Sequence, residues 1–88
     1  MFELDMKMLE DAFESEWAKE SNFLGILVDI NGVEEVIINS KENYKVKLEY
    51  YKKAYTENLV HKHDSKVKIV DFTFEVNYAD IENSLLSQ

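Results

Sequence analysis

Residues Phe23-Leu-Gly-Ile-Leu-Val-Asp-Ile30 are followed directly by Asn31-Gly32 and then by Val33-Glu-Glu-Val-Ile-Ile-Asn39. The first segment is apolar on both of its alternating faces, which is typical of a central strand that is covered on both sides. Asn and Gly adopt positive φ angles at little cost, so Asn31-Gly32 between two apolar segments predicts a two-residue β-hairpin. We therefore expect two antiparallel strands, the first of them in the middle of a sheet.

The segment before the hairpin predicts a strand and a helix. Phe2, Leu4, Met6 and Met8 alternate with polar residues, a period of two that fits a half-buried strand. From Leu9 to Glu20 the apolar residues recur at helical spacing, and acidic residues gather near the start, where the helix dipole favours them. If the first eight residues were helical instead, the order of elements would be αββαβ.

The segment after the hairpin predicts a second helix, a long strand and a tail. Asn39 or Ser40 can cap the helix, and its apolar stripe steps by four, three, four and four residues. The stripe consists of Tyr44, Leu48, Tyr51, Tyr55 and Leu59. A polar break covers residues 61–65, and the alternation that follows slips phase at Val70, which predicts a β-bulge. Residues 79–88 either form a short helical turn or fray.

The resulting order of strand, helix, hairpin, helix and strand predicts a fold class. It is a single α+β domain over residues 1–88, with the βαββαβ arrangement of the ferredoxin-like sandwich. That fold has an antiparallel sheet in the strand order 4-1-3-2, with both helices on one face. The ferredoxin order places the apolar strand Phe23–Ile30 at an edge, so we expect the tail or a second copy of the chain to cover it.

Composition excludes several classes of function. The chain has 88 residues with 18 acidic residues against 10 lysines, no Arg, no Cys and no Pro, and its formal net charge is -8. Without Cys there is no disulfide, thiolate zinc site or cysteine nucleophile. The first twenty residues carry seven acids, unlike a signal or transit peptide, and no apolar run reaches the about 20 residues of a membrane helix. We expect a cytoplasmic protein that does not associate with membranes.

The residues that could carry chemistry are few. His61, His63 and Asp64 have the residue types of a metal site, but zinc usually takes at least three protein ligands and Lys62 adds a repelling charge, so a solvated loop is favoured. Gly25 and Gly32 stand alone and form no phosphate-binding loop. The serines lack a nucleophile elbow. We expect no metal, no cofactor and no small-molecule substrate, and hence no enzyme; a hydrolase that used His61 or His63 is the least favoured hypothesis.

Charge is unevenly distributed along the chain. Residues 41–68 carry eight lysines against four acids, while the rest is acidic. Without Arg for bidentate phosphate contacts, a solvated helix face is favoured there, and we expect no direct binding of nucleic acid. The carboxylates elsewhere could imitate nucleic acid toward a basic groove, although acidity that serves only solubility explains the same residues.

Two stretches resemble known groups of proteins. Asn39-Ser-Lys-Glu-Asn43, leading into Lys47-Leu-Glu-Tyr-Tyr-Lys-Lys-Ala-Tyr55, resembles small bacteriophage and prophage proteins of low-GC Gram-positive bacteria, as does the use of Lys without Arg. The hairpin from Ile26 to Ile38 with a helix after it is similar to the small acidic prophage inhibitors of CRISPR nucleases. The first resemblance implies a phage-encoded protein, and the second implies an inhibitor.

These observations lead to two hypotheses of function. The first is a non-enzymatic protein-binding module that binds its own copies or a host or phage protein. The alternative is an acidic inhibitor of the anti-restriction or anti-CRISPR type that imitates nucleic acid. The candidate partner contacts are Glu10, Glu14, Glu16, Phe23, Leu27, Glu34, Glu35 and Tyr50.

Overall fold

The chain folds as a small α+β domain. The computed structural model describes residues 4–86. In chain order the helices and strands are α1 (Met6–Phe13), α2 (Glu16–Glu20), β1 (Phe23–Ile30), β2 (Val33–Ser40), a 3-10 turn (Lys41–Asn43), α3 (Tyr44–Ala54), β3 (Val60–His61), β4 (Asp64–Glu75) and α4 (Ala79–Leu86). The strands form one antiparallel sheet in the order β2-β1-β4-β3.

The N-terminal segment is helical, so the prediction of a strand there is wrong for the residues that can be compared. Asp5 begins α1, and its Oδ1 accepts a hydrogen bond of 2.9 Å from the backbone N–H of Met8. Met6 and Leu9, three residues apart, are both buried, as one face of a helix requires. The cap and this spacing outweigh the alternation of apolar residues. Phe2 lies outside the described residues.

The predicted helix from Leu9 to Glu20 is divided into α1 and α2. Ser15 separates them: its backbone is extended, and its hydroxyl donates to the carbonyl of Ala12 at 2.6 Å and accepts from the N–H of Ala18 at 3.4 Å. A serine with extended backbone that accepts from a later N–H starts a new helix rather than continuing the old one. The acidic residues of this segment are therefore spread over two short helices.

The hairpin is confirmed, and β1 is central as predicted. Asn31 and Gly32 have φ angles of 53° and 90°, the positive values that a two-residue turn of this type needs. The carboxylate of Asp29 accepts from the N–H of Gly32 at 2.7 Å, which stabilises the turn. β1 pairs along its whole length with β2 on one side and with β4 on the other.

The bulge in the last strand is also confirmed. Leu27 is opposite Asp71 while Val28 is opposite Ile69, so Val70 is the extra residue of β4. The segment predicted as a polar loop over residues 61–65 instead contributes to two strands. His61 is opposite Asp64, and β4 begins at that residue.

The ferredoxin-like topology is wrong. β4 lies next to β1 and antiparallel to it, whereas the ferredoxin order would need an N-terminal strand between them. The two helices expected on one face are replaced by helices on both faces. The cluster that includes residues of α1, α2 and α3 lies on one face, and α4 packs on the other against β4, β1 and β2.

Alternation along β1 divides the core into two clusters. Leu24, Ile26 and Val28 face the larger one, which also contains Leu9 and Phe74. Leu27 faces the smaller one with Ile81 and Leu85 of α4. The tail thus covers the second face of β1, which is one of the two coverings expected from the sequence. Within residues 4–86 no helix is long and apolar enough to cross a membrane.

Candidate protein-binding surface

β2 forms one edge of the sheet, and no described strand pairs with its outer side. We call this strand, Val33–Ser40, the β2 edge. It has eight residues, against two in β3 at the opposite edge. Edge strands present unpaired N–H and C=O groups to which another strand can be added, and proteins commonly keep them short or cover them. A full-length open edge is therefore the feature of this fold best suited to backbone pairing.

The geometry of the hairpin determines which backbone groups point outward. In a two-residue hairpin the flanking residues, here Ile30 and Val33, exchange hydrogen bonds, and the pattern then repeats at every second residue. The odd-numbered residues of the β2 edge thus bond to β1. The even-numbered residues Glu34, Val36 and Ile38 direct their N–H and C=O groups away from the sheet. Ser40 caps the 3-10 turn and its C=O accepts the first hydrogen bond of that turn, so only its N–H is directed outward.

The side chains of the β2 edge lie alternately on the two faces of the sheet, the odd-numbered residues on one face and the even-numbered residues on the other. Val33 and Ile37 are opposite Ile30 and Ile26, so they lie on the face that carries the larger core cluster. The helices do not cover this part of the face completely: Val33 is 64% exposed, Ile37 40% and Ile30 37%. On the other face, Val36 and Ile38 are half-buried and pack on the cluster beneath α4. Each face of the edge therefore carries two apolar side chains beside polar ones.

Three acidic candidate contacts lie in α1, in α2 or in the two-residue connection between them. The carboxylate of Glu10 lies 3.9 Å from Lys52 Nζ and that of Glu16 lies 3.5 Å from Lys19 Nζ, while the side chain of Glu14 is exposed. Glu34 and Glu35 are exposed on the β2 edge itself. Of the predicted acidic contacts, only this pair lies on the open edge.

Phe23 and Leu27 lie beneath α4. Leu27 is 5% exposed and belongs to the cluster with Ile81 and Leu85. Phe23 is half-buried against the same cluster, and its ring meets that of Tyr78 edge to face with 5.6 Å between centroids. A partner would reach Leu27 only if α4 moved away. The apolar second face of β1 is explained by packing within the chain.

Tyr50 is exposed, as its place outside the apolar stripe predicts, but it belongs to an aromatic cluster. Its ring lies 5.4 Å from that of Tyr51 and 6.4 Å from that of Tyr55, and Lys47 Nζ lies 5.2 Å above it. Burial raises the pKa of Tyr51 and Tyr55, with a further contribution from neighbouring tyrosines. The hydroxyl of Tyr51 is buried and has no hydrogen-bond partner among the described residues.

The two histidines lie beside each other near the turn between β3 and β4, with 6.0 Å between their ring centroids. His61 Nδ1 accepts from the N–H of His63 at 3.1 Å; His61 ends β3, and His63 lies in the turn between β3 and β4. Among residues 4–86 no three His, Cys, Asp or Glu side chains are grouped as metal ligands. An open depression of about 490 Å³ on the described part of the chain is lined by Asp5, Met6, Lys7, Glu10, Glu57 and Asn58.

Sequence reasoning missed the apolar members of this surface. Val33 and Ile37 are not among the contacts predicted from the sequence, which name only Glu34 and Glu35 in this strand. The sequence does carry one signal: Glu35 lies between these residues on the same face of β2, and a buried face rarely carries an unpaired carboxylate. No family model, curated protein or solved structure matches this chain.

Proposed function

We propose that the chain is a non-enzymatic protein-binding module and that the β2 edge is its binding element. The observation that carries this proposal is the open edge of eight residues with exposed Val33 and Ile37 beside it. A partner strand would bond to the outward N–H and C=O groups, and its side chains would pack on the apolar residues. Backbone pairing supplies affinity in such complexes, and the alternating side chains supply specificity.

Proline at residue 34 tests the proposal, because it removes one outward N–H group. Glu34 is exposed and its N–H points away from β1, so Glu34→Pro keeps the β1–β2 ladder intact. Glu34→Ala is the matched control, since it removes the carboxylate and keeps the N–H. Immobilised wild-type and variant chains are incubated with the untagged chain and with a lysate of the encoding organism, and captured proteins are quantified by mass spectrometry.

We expect Glu34→Pro to lose the captured protein and Glu34→Ala to keep it. Circular dichroism and thermal unfolding show whether both variants are folded. Equal capture by Glu34→Pro and wild type, with both chains folded, would contradict the proposal. This comparison separates backbone pairing from charge, because the two variants both lack the carboxylate and differ in the N–H group.

The acidic inhibitor is a second candidate, and the free carboxylates favour it. Glu14, Glu20, Glu34 and Glu35 are exposed and make no ion pair with any residue between 4 and 86. Such carboxylates attract a basic groove of a nucleic-acid-binding protein, and the attraction weakens as salt screens it. This function predicts that Glu14→Lys with Glu34→Ala lowers capture and that high salt releases the partner. The edge-pairing function predicts neither result.

A further inference from the structure

The β2 edge is complementary to itself. Its sequence from Glu34 to Ser40 is Glu-Glu-Val-Ile-Ile-Asn-Ser, with two acids before the apolar centre and two neutral polar residues after it. If two such strands run antiparallel about Ile37, polar residues oppose polar residues and apolar residues oppose apolar residues. This property follows from the order of side chains along one strand. The pairing also requires that the outward backbone groups of the two strands meet in the register centred on Ile37.

The outward hydrogen bonds restrict the possible registers. Opposed residues in an antiparallel pair have the same bonding state, so the outward-directed even-numbered residues of one copy must face even-numbered residues of the other. In a twofold-symmetric pair the register is then centred on one residue. The register centred on Ile37 satisfies this rule and uses the outward groups of Val36 and Ile38 together with the outward N–H of Ser40.

The register centred on Ile37 matches side chains at every position. Val36 faces Ile38 of the second copy, and Ile37 faces its own equivalent across the symmetry axis. The polar pairs are Glu34 with Ser40 and Glu35 with Asn39. Like charges never stand opposite each other, and the exposed Ile37 side chains cover one another.

The registers centred one and two residues closer to the hairpin turn, and the parallel register, are poorer. Centring the pair on Val36 would set Glu34 against Ile38 and Glu35 against Ile37. Centring it on Glu35 would place the two Glu35 carboxylates opposite each other. A parallel pair in register would place the two Glu35 carboxylates opposite each other and also the two Glu34 carboxylates. Like charges directly opposite are destabilising, and a carboxylate against Ile loses the apolar contact.

Asn39 is compatible with the same register. Its side-chain amide nitrogen is buried and has no hydrogen-bond partner among residues 4–86. Asn39 lies on the same sheet face as Glu35 and Ile37. In the register centred on Ile37, the Glu35 carboxylate of the second copy stands directly opposite, with about 4.5–5.5 Å between the Cβ atoms of such a pair. A carboxylate acceptor at that position satisfies the amide after a side-chain rotation.

We infer that the partner of the β2 edge is a second copy of this chain, paired antiparallel about Ile37 so that the two sheets form one of eight strands. The inference rests on the proposed function, because it uses the same open edge. The two copies each carry a net charge of -8 and repel at long range. Added salt screens that repulsion, so self-association strengthens or holds with salt, opposite to the acidic inhibitor.

Single cysteines test the register, since the chain contains no Cys of its own. Position 37 faces itself in a pair without mutual backbone hydrogen bonds, where the Cα atoms are about 4.5 Å apart and a disulfide can form. We expect Ile37→Cys to yield a covalent dimer under mild oxidation at least about tenfold faster than two controls. The controls are Val33→Cys, 64% exposed on the same edge, and Val46→Cys, 66% exposed on α3.

Charged substitutions of Ile37 test, without a disulfide, whether the two Ile37 residues face each other across the twofold axis. By analytical ultracentrifugation we expect the wild type to reach twice the chain mass of 10.4 kDa, and Ile37→Lys and Ile37→Glu each to remain monomeric. An equimolar mixture of the two variants restores the dimer, because opposite charges then face each other. The restored dimer shows that both variants are folded.

The outcomes are distinguishable from those of the proposed function. A wild-type chain that stays monomeric at all concentrations, or equal cross-linking of the three cysteine variants, overturns the inference. If Glu34→Pro still abolishes capture of some other protein, the proposed function stands with a different partner. If Ile37→Lys strengthens association instead, the register is centred on Val36, where position 37 faces Glu35, and the inference in this form is overturned.

Discussion

Gly25 lies directly beneath Ile81. A Cβ atom added to Gly25 would approach Ile81 Cγ2 to less than 3.0 Å and Leu85 Cδ1 to 3.1 Å. The φ angle of Gly25 does not lie in the positive region that favours glycine. Glycine matters at this position because it has no side chain, which lets α4 come close to the centre of β1. The close approach is what allows a helix of eight residues to cover the second face of the sheet.

The first prediction concerns this contact. Gly25→Ala forces α4 outward because Cγ2 of a β-branched residue has little freedom to move, and overpacking of this kind costs about 1–3 kcal/mol. The gain of about 0.5–1 kcal/mol from replacing Gly within a strand offsets part of that cost. We expect urea denaturation to show a net loss of about 1–2 kcal/mol in the free energy of unfolding.

A double-mutant cycle identifies the cause. Ile81→Ala alone removes buried apolar volume and is expected to cost about 2–5 kcal/mol. Because the added methyl of Gly25→Ala then meets free space, the double variant should be more stable than the sum of the two single effects predicts. Strictly additive losses would show that the two residues do not compete for the same space.

Local signals in the sequence were sufficient for the hairpin and the bulge. Asn31-Gly32 specifies its turn through backbone angles that few residues adopt. The bulge at Val70 is indicated by the point where the alternation of apolar and polar residues changes phase. The N-terminal segment was ambiguous, because Met6 and Met8 fit an alternating pattern while Met6 and Leu9 fit a helical one. The cap at Asp5 decides between them, and such a cap is visible in sequence only as one acidic residue among several.

The candidate surface was predictable only in part. Glu34 and Glu35 were expected at the surface and are there. Leu27 was expected to face a partner because β1 is apolar on both faces, but α4 covers it. The exposure of Val33 and Ile37 depends on how far the helices extend over the sheet, and that is a tertiary property without a local signature.

The second prediction compares two adjacent leucines of α4. Leu85 is 2% exposed against β1, whereas Leu86 is 46% exposed. Leu85→Ala should lower the free energy of unfolding by about 2–3 kcal/mol, because it removes buried apolar volume and leaves a cavity. Leu86→Ala should change it by less than about 1 kcal/mol, because most of that side chain is already in water. Chemical denaturation of both variants checks this, and equal losses would mean that α4 docks in another rotation.

The third prediction concerns two tyrosine hydroxyls with different partners. The hydroxyl of Tyr44 shares a hydrogen bond of 2.7 Å with Ser21 Oγ, and that of Tyr51 is buried without a partner in the described part of the chain. Tyr44→Phe should destabilise the fold by about 1 kcal/mol. Tyr51→Phe should leave stability unchanged or raise it by up to about 1 kcal/mol, because an unsatisfied hydroxyl is removed from the core. Thermal and urea unfolding of the two variants give the comparison, and a clear loss in Tyr51→Phe would reveal a hydrogen bond to the hydroxyl.

The fourth prediction is a fall in stability at alkaline pH that depends on Tyr51. Burial raises the pKa of Tyr44, Tyr51 and Tyr55 above the ordinary value of 10.0. Below that value both the folded and the unfolded chain keep these protons, so the tyrosines add no pH dependence. Above it the unfolded chain loses them first and binds fewer protons than the folded chain. The free energy of unfolding therefore falls, by up to about 1.4 kcal/mol per pH unit for each proton of difference.

Variants assign this fall to individual residues. Urea denaturation at pH values between about 9 and about 11 should show a shallower fall in Tyr51→Phe than in the wild type. Tyr44→Phe should change the slope less, because the hydrogen bond between Tyr44 and Ser21 opposes the effect of burial on the pKa of Tyr44. All other residues are the same in the three chains, so the comparison of slopes, rather than any single curve, isolates the tyrosines. A slope in Tyr51→Phe equal to that of the wild type would mean that water reaches the Tyr51 hydroxyl in the folded chain.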